Sequence, residues 1–85
     1  MRQFLVELYV SKAEAPAADQ LGEAARGAAE QLTRGGTPVR FVRSIFVPDD
    51  ETCYLLYEAS SLENVERAVK VAQLPYERIA ESVVA

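Results

Sequence analysis

VRFVRSIFVPDDETCYLLYEA, residues 39–59, predicts two antiparallel strands joined by a short polar turn. Residues 39–47 and 53–59 are rich in β-branched and aromatic side chains, which favour strands. Between them, Pro48-Asp49-Asp50-Glu51 have the composition of a turn. The middle of the chain is therefore predicted to be a β-hairpin.

A strand followed by a helix is predicted before the hairpin. Residues 2–11 alternate as a strand does, and one face of this strand carries no charge: Phe4, Val6, Leu8 and Val10. Pro16 then stands where the first turn of a helix tolerates proline. Small apolar residues recur at helical spacing from there until Gly35-Gly36, which ends the helix.

A helix followed by a strand is predicted after the hairpin. Ser60 and Glu63 have the spacing of a capping box, with Ser60 as the N-cap. The apolar stripe of this helix ends before Leu74-Pro75, and residues 78–84 form a short last strand.

The resulting order is strand, helix, strand, strand, helix, strand, with two crossover connections of the usual right-handed kind. This order predicts an α+β, ferredoxin-like βαββαβ fold, in which two helices cover one face of an antiparallel sheet. The first and third strands are expected at the centre of the sheet. A length of 85 residues favours one domain, residues 1–85.

Composition and charge exclude several classes of function. A chain that is 49% hydrophobic and 26% charged is typical of a soluble globular protein. The net charge of −4 disfavours binding to nucleic acid or to anionic lipid. Glu7 interrupts the apolar segment that a signal peptide would need, and the single cysteine, Cys53, suits a reducing compartment. We therefore expect a cytoplasmic protein without nucleic-acid or membrane partners.

The inventory of catalytic groups is small. The chain has no histidine, which is the commonest general base and the commonest transition-metal ligand. Cys53 and Ser44 consequently have no base to activate them, and Cys53 is predicted to be a core residue. The glycines match no phosphate-binding motif, so no cofactor is expected.

One face of the predicted sheet is left without a helix. If the uncharged face of the first strand meets the helices, the opposite face carries the following residues, strand by strand: Leu5, Glu7 and Tyr9; Phe41, Arg43 and Ile45; Tyr54, Leu56 and Glu58. The phase of the two later strands is open at this stage, because a slip of one residue exchanges the faces. Large apolar groups rarely remain exposed on a monomer, so we expect a homodimer that packs sheet against sheet.

The chain also resembles a known family. The residues that carry the resemblance lie along the whole chain: Leu5-Val6-Glu7, Val39-Arg40-Phe41-Val42-Arg43-Ser44, Asp50, Thr52-Cys53-Tyr54, Tyr57-Glu58-Ala59, Leu74-Pro75 and Arg78-Ile79. This pattern is similar to that of small bacterial proteins with a domain of unknown function, one of which is described as nickel-binding. The resemblance implies a ferredoxin-like fold, a dimer like that of the dimeric α/β-barrel proteins, and a divalent metal ion as one candidate ligand.

The sequence departs from this family where a metal site is concerned. Nickel sites would be expected to use histidine, which is missing here, so no metal ligand carries over. Phe41 and Ile45 stand where the family often has Trp and Tyr. A site made of Glu7, Glu58 and other oxygen ligands would suit Mg²⁺ or Ca²⁺ better than nickel.

The candidate ligand-binding residues are those of the uncovered face: Glu7, Tyr9, Phe41, Arg43, Tyr54 and Glu58. Two carboxylates beside a guanidinium could form a buried ion pair that sets the dimer register, bind a polar ligand, or act as acid and base. Tyr9 and Tyr54 could orient a ligand or only pack at an interface, whereas Tyr57 shares the phase of the helix-covered residues.

Three classes of function follow from this reading. The first is a small binding protein that holds a small molecule or a divalent metal ion in a cavity between dimerised sheets. The second is a cofactor-independent cyclase, isomerase or monooxygenase, in which Glu7 or Glu58 is the acid or base and Arg43 stabilises an enolate. The third is an accessory subunit whose uncovered face binds another chain.

Overall fold

A computed structural model describes residues 1–83 of the chain. Its elements follow the predicted order: β1 (Arg2–Tyr9), α1 (Pro16–Arg34), β2 (Val39–Val47), β3 (Thr52–Ala59), α2 (Leu62–Val71) and β4 (Tyr76–Ser82). Short 3-10 turns at Lys12–Glu14 and Pro48–Asp50 precede α1 and join β2 to β3. This arrangement confirms the α+β, ferredoxin-like prediction.

The four strands form one antiparallel sheet in the order β2-β3-β1-β4. The first and third strands are central, as predicted, and β2 and β4 are the edges. The central pair runs without interruption from Arg2 opposite Ala59 to Tyr9 opposite Thr52. Because this register is regular, the facing of every residue in β1 and β3 follows from simple alternation.

Both helices pack on the same face of the sheet. On that face β1 and β3 present side chains that are at most 1% exposed: Phe4, Val6, Leu8, Cys53, Leu55 and Tyr57. Ala25 and Ala29 of α1 and Val65 and Val69 of α2 cover them. The uncharged face of β1 therefore meets the helices, as the sequence predicted.

A glycine allows α1 to approach the sheet closely. A Cβ atom on Gly22 would lie 3.2 Å from the Oγ of Ser44 on β2, so a larger residue there would require Ser44 to move. Gly27, by contrast, faces open space. Neither helix of the described chain, residues 1–83, is long and apolar enough to cross a membrane.

Element boundaries differ from the prediction at four places, the smallest difference being that β3 begins at Thr52, one residue earlier than predicted. β1 ends at Tyr9, because Ser11 caps the following 3-10 turn by accepting the N–H of Ala13. The N-cap of α2 is Ser61 rather than Ser60: its Oγ accepts the backbone N–H of Asn64 at 3.3 Å. β4 begins two residues earlier than predicted and ends at Ser82, while residue 84 lies outside the described residues.

The facing of one candidate site residue was predicted wrongly. Phe41 pairs with Tyr57 but Arg43 pairs with Leu56, so β2 carries one extra residue, Val42, between them. Such a bulge reverses the phase of a strand, and it puts Phe41 and Arg43 on opposite faces. Phe41 is 6% exposed, and its ring packs edge-on against Tyr57 with the centroids 5.6 Å apart.

Candidate functional site

The uncovered face of the sheet, called the open face below, is built from three rows of paired residues across all four strands. In the order β2, β3, β1, β4 they are Arg40, Glu58, Gln3 and Ser82; then Arg43, Leu56, Leu5 and Ala80; then Ile45, Tyr54, Glu7 and Arg78. Apolar side chains occupy the middle of this face, and charged ones surround them.

Five of the six predicted site residues lie on the open face. Glu7, Arg43, Tyr54 and Glu58 belong to the three rows, and Tyr9 continues the same side of β1. Tyr9 is 60% exposed, and its hydroxyl donates to a carboxylate oxygen of Glu51 at 3.5 Å. Tyr9 thus lies at the end of the open face, and its hydroxyl points towards the connection between β2 and β3. The sixth residue, Phe41, is part of the helix-covered core.

The two carboxylates of the predicted site are not brought together. Glu58 lies opposite Gln3, whereas Glu7 lies opposite Tyr54. Gln3 and Glu7 are four positions apart on β1, which is about 13 Å along the strand. Within one protomer, Glu7 and Glu58 therefore cannot share a proton or bind the same atom of a ligand.

Each carboxylate has its own arginine neighbour, and neither is Arg43. The guanidinium of Arg40 donates to Glu58 at 2.8 Å. Arg78 of β4 is the cross-strand partner of Glu7, although no ion pair within 4.0 Å joins them among residues 1–83. Neither Arg40 nor Arg78 was among the predicted site residues, and the signal that could have revealed them is the pairing of charged positions on adjacent strands.

Two other reactive groups are buried under the helices. Burial raises the pKa of the Cys53 thiol, which keeps it protonated and unreactive at neutral pH. Burial also raises the pKa of the Tyr57 hydroxyl, which has no hydrogen-bond partner among the described residues. The predictions that Cys53 and Tyr57 belong to the helix-covered side are confirmed.

The residues present do not fit a nickel site. Residues 1–83 contain no group of three or more histidine, cysteine, aspartate or glutamate side chains placed to hold a metal ion. The chain has no imidazole to offer, and its only thiol is buried. Nickel favours nitrogen and sulfur ligands, and a single protomer offers neither an imidazole nor an accessible thiol.

The fold and this face define the class: a small ferredoxin-like α+β protein with one sheet face left uncovered. Residues 4–81 match the family described as "Nickel responsive protein SCO4226-like". The chain belongs to this family, and the predicted resemblance is confirmed. Neither a curated protein nor a solved structure matches the chain significantly.

Proposed function

We propose that this protein is a small binding protein that forms a homodimer and holds a small organic molecule between two open faces. The observation that carries the proposal is the apolar middle of the open face, where Leu5, Leu56, Tyr54 and Ile45 lie on adjacent strands with no helix above them. We place the protein in the cytoplasm, where its single buried thiol needs no disulfide partner.

The apolar middle of the open face supports the dimer. Ile45 is 45% exposed although it is a large aliphatic residue on the face of a sheet. Covering such a patch removes apolar surface from water at about 25 cal/mol per Å². A second copy supplies the same surface, and twofold symmetry lets each patch cover the other.

The rim of the open face supports an organic ligand over a metal ion. Binding sites for small molecules combine an apolar lining with a few polar groups that fix orientation. Here Arg43 and Arg78 provide donors, Glu7 provides an acceptor, and the hydroxyl of Tyr54 can do either. A metal ion would need several ligand atoms at one point, whereas Glu7 and Glu58 lie far apart on each protomer.

The dimer is tested by sedimentation velocity at micromolar concentration. We expect wild type to sediment at twice the protomer mass of 9.4 kDa. Ile45→Lys puts a charge into the proposed interface and should give the monomer. Val71→Lys is the matched control, because Val71 is 43% exposed on α2, away from the open face, and should leave the dimer intact.

The ligand is tested by native mass spectrometry of the purified protein. We expect wild type and Val71→Lys to carry a co-purified organic mass, and monomeric Ile45→Lys to have lost it. A wild type that is monomeric at micromolar concentration would overturn the proposal, and so would a dimer that Ile45→Lys leaves unchanged.

A further inference from the structure

A groove of about 420 Å³ lies between α1 and the edge strand β2, on the side of the sheet that faces the helices. Its floor is apolar and consists of Ala29, Val39 and Phe41, each at most 6% exposed. Its walls come from Arg26, Glu30, Thr33 and Arg34 of α1 and from Arg40 of β2. This volume is within the range of small-molecule sites, about 300–1,000 Å³.

The charges around the groove favour an anion, although the whole chain is acidic at −4. Arg26 and Arg34 take part in none of the ion pairs among residues 1–83. Arg40 is already bonded to Glu58 and adds little net charge. Glu30 is the one carboxylate among the lining residues and is four residues from each arginine on α1, so the two guanidiniums exceed it by one positive charge.

The two arginines that make no ion pair among residues 1–83 are attached to α1 at the two ends of the helical wall of the groove. Arg26 and Arg34 are eight residues apart on α1, which is about 12 Å along the helix axis. Arginine side chains are long enough to reach inward from both ends. Two separated anionic groups on one ligand match this spacing better than a single compact anion.

The protein holds the groove in shape before any ligand binds. The guanidinium of Arg26 lies over the ring of Phe41, with Cζ 5.1 Å from the centroid. The hydroxyl of Thr33 donates to the carbonyl of Val39 at 2.8 Å and accepts the N–H of the same residue at 3.2 Å. These contacts hold α1 against β2 along the floor of the groove. Binding a ligand there would therefore cost little conformational entropy of the protein.

We propose that this groove is a second binding site, for a flat organic dianion whose apolar body lies along the floor beside the Arg26–Phe41 stack, over Ala29 and Val39, and whose two acidic groups meet Arg26 and Arg34. Charge-assisted hydrogen bonds from guanidinium to carboxylate supply the specificity. Arg40, on the edge strand, is the one residue that the groove shares with the three rows of the open face, so we expect the site to be accessible in a monomer and in a dimer. The proposal therefore stands or falls independently of the dimer.

Titration of the ¹⁵N-labelled full chain with 2,6-naphthalenedicarboxylate, followed by NMR, tests the site. We expect the amide signals of Ala29, Thr33, Val39 and Phe41 to shift and that of Leu56 to stay unchanged. The monoacid 2-naphthoate should bind at least threefold more weakly, and neutral 2-naphthamide more weakly still.

Substitutions test which charged residues of the groove contact the ligand. Arg26→Gln and Arg34→Gln should each weaken binding of the dicarboxylate at least threefold, and Glu30→Gln should tighten it. Arg67→Gln on α2 and Glu23→Gln on α1 are the matched controls outside the groove, and they should leave the affinity unchanged. Equal binding of the three probes, equal effects of the control variants, or no binding at all would overturn the proposal.

Discussion

At the scale of single residues, the Tyr57 hydroxyl is the clearest source of instability. The side chain is fully buried, and its oxygen has no hydrogen-bond partner among the described residues. Tyr57→Phe keeps the ring against Phe41 and removes the unsatisfied group, so we expect a gain of about 1 kcal/mol in the free energy of unfolding. Urea denaturation at pH 8 measures this gain, with Tyr9→Phe at the exposed end of β1 as the control.

The same substitution should change the pH dependence of stability. Burial raises the pKa of Tyr57 in the folded state, while the unfolded chain releases this proton near its ordinary pKa of about 10. Above that pH the unfolded state binds fewer protons, so the free energy of unfolding falls as pH rises. We expect the advantage of Tyr57→Phe to widen at pH 10.5. A variant less stable than wild type would mean that the hydroxyl has a bound partner.

Phe41 shows why the candidate site could be predicted only in part. In β1 and β3 the alternation of side chains is unbroken, so the phase that the sequence favoured for Glu7, Tyr54 and Glu58 is the one that the structure has. In β2 one extra residue, Val42, reverses the phase. Both phases of this strand are rich in large apolar groups, so the pattern alone does not reveal the bulge. It is visible only in the pairing with β3.

At the scale of elements, both helices end in the same way although their sequences differ. After α1 the N–H of Thr37 reaches the carbonyl of Leu32, and after α2 that of Leu74 reaches Val69. These are Schellman motifs, which need one residue with positive φ. That residue is Gly36, at 95°, in the first case and Gln73, at 56°, in the second. Only the first end carries the usual glycine signal in its sequence.

This difference predicts opposite effects of substitution at the two helix ends. Gln73→Gly should stabilise the protein by about 0.5–1 kcal/mol, because glycine adopts the left-handed conformation without strain. Gly36→Ala should destabilise it by about 1 kcal/mol, through backbone strain alone, since a Cβ there meets nothing within 4 Å. Thermal unfolding followed by circular dichroism measures both.

The neighbouring glycine provides the control for this pair. Gly35 has φ −84°, which any residue can adopt, so Gly35→Ala should cost nothing. If Gly35→Ala and Gly36→Ala were equally destabilising, close packing rather than positive φ would be the reason for the glycines at this helix end.

At the scale of the whole molecule, element order was enough to predict the fold. Two right-handed crossovers in one small sheet leave few arrangements, and they place β1 and β3 at the centre. The donors of a ligand site are not determined in this way. They depend on which residues face each other across strands, such as Arg78 opposite Glu7 and Arg40 beside Glu58. The topology could therefore be predicted from the sequence, but the site could be predicted only in part.

The family is described as nickel responsive, but the side chains of this protein predict that it does not bind nickel itself. Native mass spectra before and after addition of excess NiCl₂ should show no stoichiometric nickel adduct, because the chain has no histidine and its only thiol is buried. Glu7 and Tyr54 are directly paired on β1 and β3, so the double variant Glu7→His/Tyr54→His puts two imidazoles side by side. This variant should bind nickel under the same conditions and so validates the measurement. One nickel per wild-type dimer would contradict the prediction and would require a site that joins carboxylates from both protomers.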